Sequence, residues 1–350
     1  MMCKSAPSAR RKCYLGLHRQ QGVTLVELMI ALAIGLLVTV AMLKVYVDAS
    51  RMYRFNEGLA RVQENGRFAL EFIRRDARVA GFWGCNSDIV PSNWINTTSN
   101  AYIVGLDRDN EEEFGHITGT SDDGLNSADS ITFRSATGSG ALVTADMSGP
   151  DGNITVDSAS ALDSGTAALI SDCEDGDVFQ VTGITGTTVL AHAVGAGANE
   201  TPNLSKAYAA GARVYEAREA TFCVAPGADA AQPALRRLVN PTSGQTCASN
   251  GVELLEGIEN MQILYGEDTD ADGTANRYVA INYGELQKNR IVSVRISLLV
   301  RSINNNLTTE PSPYIYPPWV NPPTQTFPDE DDKHLRKVFT TTITLRNKTG

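Results

Sequence analysis

From Val23 to Leu43 the chain reads VTLVELMIALAIGLLVTVAML, twenty-one residues interrupted by one charge, Glu27. As a helix at 1.5 Å per residue this run is about 31 Å long, close to the hydrocarbon thickness of a bilayer. After Lys44 the pattern changes from uniformly apolar to periodic. Leu59, Val62, Gly66, Ala69, Ile73, Ala77 and Ala80 recur at three- and four-residue spacing, with no proline between Val45 and Ala80. One helix is therefore predicted from about Thr24 to Ala80. At about 85 Å it is too long to lie within a bilayer, so its second half is free to dock on a globular domain. Gly35, Gly58 and Gly66 each weaken such a helix by about 1 kcal/mol, and Gly58 is expected to be a tolerated surface position.

Beyond Gly81 the period changes to two. Strands are predicted at Ser130 to Arg134, Ala167 to Ser171, Val178 to Thr182, Thr187 to His192 and Ala212 to Val224, separated by Gly-rich turns. The clearest is Ile291 to Arg301, where Val292, Val294, Ile296, Leu298 and Val300 alternate with Ser293, Arg295, Ser297, Leu299 and Arg301. That alternation predicts an antiparallel sheet with one face on the core and the other mostly polar. Val338 to Arg346 reads as a final strand. Between these two, residues 311–328 hold seven of the fourteen prolines, with Tyr314, Tyr316, Trp319 and Phe327. The segment suits neither helix nor central strand; it reads as a mobile hairpin excursion or, alternatively, as a partner-docking loop. The fold class is α+β, a long N-terminal helix followed by an antiparallel β-rich head.

Charge divides the chain further. The net charge is -10, yet the first 22 residues carry Lys4, Arg10, Arg11, Lys12 and Arg19 and no acid, so the excess of acid lies beyond them. An acidic head argues against nucleic acid as a partner. The basic leader should stay cytoplasmic, placing everything after Lys44 outside the inner membrane. Of six cysteines, Cys3 and Cys13 lie in the leader. Cys85, Cys173, Cys223 and Cys247 remain, an even set for an oxidising compartment. They allow three connectivities; the expected one pairs Cys85 with Cys173 and Cys223 with Cys247, which closes a short loop rich in Pro, Gly, Ala and Ser. No C-x-x-C spacing occurs and no exported histidine lies near a cysteine in sequence, which argues against zinc.

Three readings compete for the apolar run. A cleaved secretory signal needs a shorter stretch and an A-x-A-like site, which Thr39, Val40 and Ala41 do not provide. A plain anchor leaves Glu27 unexplained, since a carboxylate inside a bilayer costs about 2.5 to 3.5 kcal/mol. The third takes Gln21, Gly22, Val23, Thr24, Leu25, Val26, Glu27 and Leu28 as a unit. It resembles the class III signal of type IV prepilins: a basic leader ending in Gly, an apolar helix, and Glu as the fifth residue of the mature chain. The resemblance implies that prepilin peptidase cuts after Gly22 and N-methylates Val23, a position where the family more often has Phe. It also implies that the Glu27 carboxylate pairs with the amino terminus of a neighbouring subunit and sets the register between subunits.

Gly66 to Cys85 (GRFALEFIRRDARVAGFWGC) and Gly257 to Val279 (GIENMQILYGEDTDADGTANRYV) resemble the PilW type of minor pilin. So do the SDC at Ser171 to Cys173 and the LRN at Leu345 to Asn347. This implies a cleaved leader (1–22), a helix (23–80, with 23–43 in the membrane or filament core) and an exported head (81–350), divisible at about residue 210. It further implies a low-abundance subunit of a tip or priming complex, working with other minor pilins, the major pilin, a tip adhesin and the inner-membrane assembly platform, in support of adhesion and twitching motility. A minor pseudopilin of type II secretion shares the same N-terminal physics, and a membrane-anchored adhesin is the remaining alternative.

One metal-like motif is present. Asp268, Asp270, Asp272 and Gly273 reproduce the start of a D-x-D-x-D-G calcium loop, but the twelfth position holds Val279 where a glutamate is required. Asn276, backbone carbonyls or Glu285 are candidates to complete it, or it is simply an acidic turn. Ca²⁺ is the one cofactor suggested. No G-x-S-x-G, H-E-x-x-H, Walker A or dinucleotide-binding glycine pattern occurs, so an enzyme is not expected.

Overall fold

The computed structural model describes residues 22–84, 91–99, 101–103, 115–195, 198–320, 325–326 and 328–348. Its longest element is α1, Leu25–Ala77, 53 residues. The chain divides into two compact units, residues 1–53 and 54–350.

In the first unit α1 is exposed almost throughout, its apolar side chains included. It is the one helix among the described residues long and apolar enough to cross a membrane.

Within the second unit α1 buries Val62, Gly66, Ala69, Ile73, Asp76 and Ala77, the three- and four-residue stripe that the sequence predicts. The helix stops three residues earlier than expected. Val79 N–H and Ala80 N–H bond to the carbonyls of Asp76 and Ala77, a tighter i to i+3 turn, and Gly81 follows at φ +74°, where glycine is favoured. Gly58 is half-buried rather than fully exposed. A Cβ there would collide with the Leu307 side chain, and one at Gly66 would enter the Phe339 ring. Both glycines are points of close approach.

The head opens with β1 (Ser92–Asn93), β2 (Ile117–Thr120), β3 (Ser130–Leu142) and β4 (Ile154–Thr155). Then come β5 (Ala167–Ser171), β6 (Gly176–Gln180), β7 (Gly183–Thr185), β8 (Val189–Ala191), β9 (Arg213–Pro226) and β10 (Pro233–Val239). A short helix, α2 (Cys247–Asn250), precedes β11 (Val252–Glu256), β12 (Ile258–Glu267) and β13 (Arg277–Val279). The chain ends with β14 (Ile291–Arg301), β15 (Tyr314–Ile315), β16 (Gln325–Thr326) and β17 (Arg336–Thr344). An eight-stranded sheet runs β1-β6-β5-β9-β10-β11, with β3 also on β9 and β2 on β3; a four-stranded sheet runs β13-β12-β14-β17. All these pairings are antiparallel except β1 with β6.

One core joins the C-terminal part of α1 to both sheets. It contains Ile73 and Ala77, Phe133 and Phe222 of the larger sheet, and Met261, Ile263, Val294, Ile296 and Leu298 of the smaller. Separate clusters form around Phe179 and Leu190, and around Trp83 and Tyr215.

β14 has the predicted boundaries, but its second face departs from expectation. Ser293, Ser297 and Leu299 are buried as well. Tyr278 OH lies 3.0 Å from Ser293 Oγ, and Tyr316 OH donates to Ser297 O at 2.8 Å. Part of the cover comes from the proline-rich segment. It is not a free excursion: β15 pairs with β16 in register Tyr314 with Thr326, and Tyr316 reaches across to the sheet. Residues 321–324 and 327 lie outside the described residues.

Candidate functional site

The peptide joining Gly22 to Val23 precedes the first turn of α1, and both residues are exposed. Among the described residues nothing lies within 4 Å of where a Gly22 Cβ would be. A peptidase needs a reachable backbone, and both residues are exposed. Thr24 then starts the helix: its carbonyl accepts Leu28 N–H at 3.1 Å and its Oγ1 accepts Glu27 N–H at 3.2 Å. Glu27 is thereby the third helical residue of a T-x-x-E cap, with the threonine half formed. A carboxylate there also meets the positive end of the helix dipole. This local role, visible in the spacing of Thr24 and Glu27, is one the sequence analysis missed.

In the head the expected Cys223–Cys247 disulfide is present, with a Cα–Cα distance of 6.1 Å, and it ties β9 to the start of α2. Thr246 caps α2 by accepting Ser249 N–H. Closing the 24-residue separation is worth about 3 kcal/mol in the chain-entropy account. Cys173 is also disulfide-bonded; its expected partner, Cys85, lies outside the described residues.

The three aspartates of the acidic motif do converge, with carboxylate oxygens within 4.8 Å of one another. Their bonding is that of a self-organised turn. Asp268 Oδ1 accepts the backbone N–H groups of Asp270, Ala271 and Asp272, and its Oδ2 accepts that of Gly273 at 2.7 Å. Burial opposes ionisation of Asp268, but these N–H bonds outweigh it and hold its pKa below the ordinary carboxylate value. Asp272 Oδ1 accepts both Thr274 N–H and Oγ1–H. The expected completing ligands are engaged elsewhere: Asn276 Oδ1 accepts from Thr269, and Glu285 Oε2 accepts from Tyr283 OH and lies 3.6 Å from Arg277. Calcium takes six to eight oxygens, of which the three aspartates could each offer one.

Comparison with known proteins adds two matches at opposite ends of the chain. Residues 17–43 match the prokaryotic N-terminal methylation motif, and residues 221–347 match the family of type IV pilus-assembly protein W. The C-terminal part of the chain is thus similar to PilW, and its N-terminal part carries a prepilin-type motif. No curated protein matches the chain. Among solved structures, a type IV-like pilin from Thermus thermophilus aligns over 39% of this chain and 70% of its own, at 16% identity and a TM-score of 0.23.

The PilW match covers β10 to β17 entire and the last part of β9, so it holds the disulfide, the acidic turn and the proline-rich hairpin. Within this part of the chain the Arg336 side chain is nearly buried and paired twice, to Glu259 at 2.7 Å and to Asp332 at 2.6 Å. Its guanidinium also lies over the Tyr314 ring at 5.4 Å. The network fastens both ends of the hairpin to β12 and β17. The matched families are pilus structural and assembly proteins, in keeping with the lack of an enzymatic motif.

Proposed function

We propose that this chain is a PilW-type minor pilin that joins other minor pilins in a tip or priming complex, starts polymerisation of the major pilin, and helps present a tip adhesin. In this reading prepilin peptidase removes residues 1–22 and methylates Val23. Before assembly the helix spans the inner membrane with the head in the periplasm; afterwards its apolar length packs among the helices of other subunits. Glu27 then has a second role beyond the cap: its carboxylate meets the amino terminus of a neighbour, and each offsets the other's burial. The observation that carries the reading is the coincidence of an exposed Gly22, Val23 and Glu27 signature with an uncovered apolar helix and a PilW-matched head.

Co-expression with prepilin peptidase and mass spectrometry of the mature chain tests it. A methylated amino terminus at Val23 is expected, and a terminus anywhere else overturns the reading.

A further inference from the structure

Where α1 ends, four arginines from three distant parts of the chain line one cleft of about 510 Å³. Arg75 and Arg78 come from the last turn of α1 and the turn after it, Arg218 from β9, and Arg346 from the segment after β17. The wall between them includes Val79 and Phe82. Two of these arginines have an ordinary explanation, because cations favour the negative end of a helix dipole. Arg218 and Arg346 are not at the end of α1: they reach the same cleft from β9 and from the segment after β17, far away in sequence.

The local charge is unbalanced. Among the described residues the one carboxylate in the cleft is Asp76, largely buried, and it is already held by Arg237 at 2.8 Å and approached by Arg218 at 3.5 Å. Arg75, Arg78 and Arg346 are exposed and pair with no carboxylate among the described residues. Gathering unpaired guanidiniums costs mutual repulsion unless an anion is shared among them. In a chain of net charge -10 such clustering is contrary to composition.

We infer that this cleft is a docking site for an acidic peptide segment of a neighbouring exported protein, whose Asp or Glu side chains the arginine forks grip. The planar guanidinium matches a carboxylate bidentately, and the volume lies in the range of ligand clefts. The exposed side chain of Val79, beside the half-buried Phe82, supplies apolar contact that a peptide uses and a bare inorganic anion does not. That the neighbour is another pilus subunit rests on the pilin reading above; the cleft's preference for carboxylate-bearing peptide does not.

The test uses the full chain in non-ionic detergent and a fluorescent hexaglutamate peptide, read by anisotropy at fixed ionic strength. Binding is expected, and Arg75→Ala, Arg78→Ala and Arg346→Ala together should weaken it by about tenfold. Removing the same charge elsewhere, with Arg51→Ala, Arg54→Ala and Arg67→Ala, should change it less than about twofold. All six positions are exposed, and unchanged circular dichroism verifies folding. No binding, or equal losses in both variants, overturns the inference. So does displacement of the peptide by inorganic phosphate where chloride of equal ionic strength leaves it bound, which makes the cleft a general anion site.

Discussion

The two units of this chain solve the same problem in opposite ways. The head covers most of its apolar residues itself, by sheets, by the C-terminal part of α1 and by a hairpin laid over a sheet face. The N-terminal unit covers nothing: Leu25, Leu36, Leu37 and Met42 are each about two-thirds or more exposed. A continuous patch of that size means that the environment completes the structure. The core of the first unit is thus supplied by lipid or by other chains, and that of the second by the chain itself. Substitutions in the first unit should accordingly disturb association and leave folding intact, while those in the second should do the reverse.

The largest expected effect is at Glu27. Glu27→Ala removes the carboxylate proposed to pair across subunits, and we expect the protein to be exported and folded but absent from sheared filaments. Immunoblots of filament and cell fractions read the first part, and thermal unfolding of the head reads the second. Normal incorporation of the variant would reduce Glu27 to its part in the helix cap and erase the contrast between the units.

Next comes Asp177, which is fully buried. Its Oδ1 accepts Trp94 Nε1–H at 2.7 Å, and its Oδ2 accepts from Ser205 N at 2.9 Å, Ser205 Oγ at 2.7 Å and Tyr208 OH at 2.9 Å. Four donors therefore converge on one carboxylate and hold the 205–208 turn against β6. Asp177→Ala leaves them without that acceptor, at a cost of about 4 kcal/mol by the usual penalty for buried unsatisfied groups. Denaturant unfolding measures it, with Glu27→Ala as the unaffected partner. A loss below about 1 kcal/mol would show that water replaces the carboxylate and that this part of the head is more open than its burial suggests.

Sequence alone reaches the first unit more easily than the second, and the reason is range. The apolar run and its cap are local features. So are β5, a short apolar run, and β14, whose alternate residues are all apolar, and the limits of both agree with prediction. β3 runs eight residues past its predicted end because Gly138 and Gly140, both at positive φ, accommodate a bulge where a turn was expected. β12 escaped notice for a related reason. Its register shifts between Ile258 and Asn260, so Ile258 is out of phase with Met261, Ile263 and Tyr265 and the two-residue period is hidden. Of the candidate sites, Gly22, Val23 and Glu27 stand together by sequence adjacency, and the Cys223–Cys247 bridge closes a short loop. The arginine cleft joins residues 75 and 346 and has no local signature.

The smallest effect concerns the element whose two readings, excursion or docking loop, sequence left open. Tyr316 donates its hydroxyl to Ser297 O at 2.8 Å and lies 3.2 Å from Asn260 Oδ1, so it bonds the hairpin to both central strands of the smaller sheet. Tyr316→Phe keeps the ring and removes that bond, which should cost about 1 kcal/mol. Tyr316→Ala also removes the packed ring and should cost about 3 kcal/mol. Hydrogen exchange separates a clamp from a bystander: in both variants the amides of Tyr314 and Ile315 should exchange faster, with those of Leu298 and Leu299 beneath the hairpin following. If Tyr316→Ala leaves all of these rates and the unfolding midpoint unchanged, the hairpin covers the sheet without holding it. The head's outer face would then be available to a partner in the way that the exposed helix of the first unit already is.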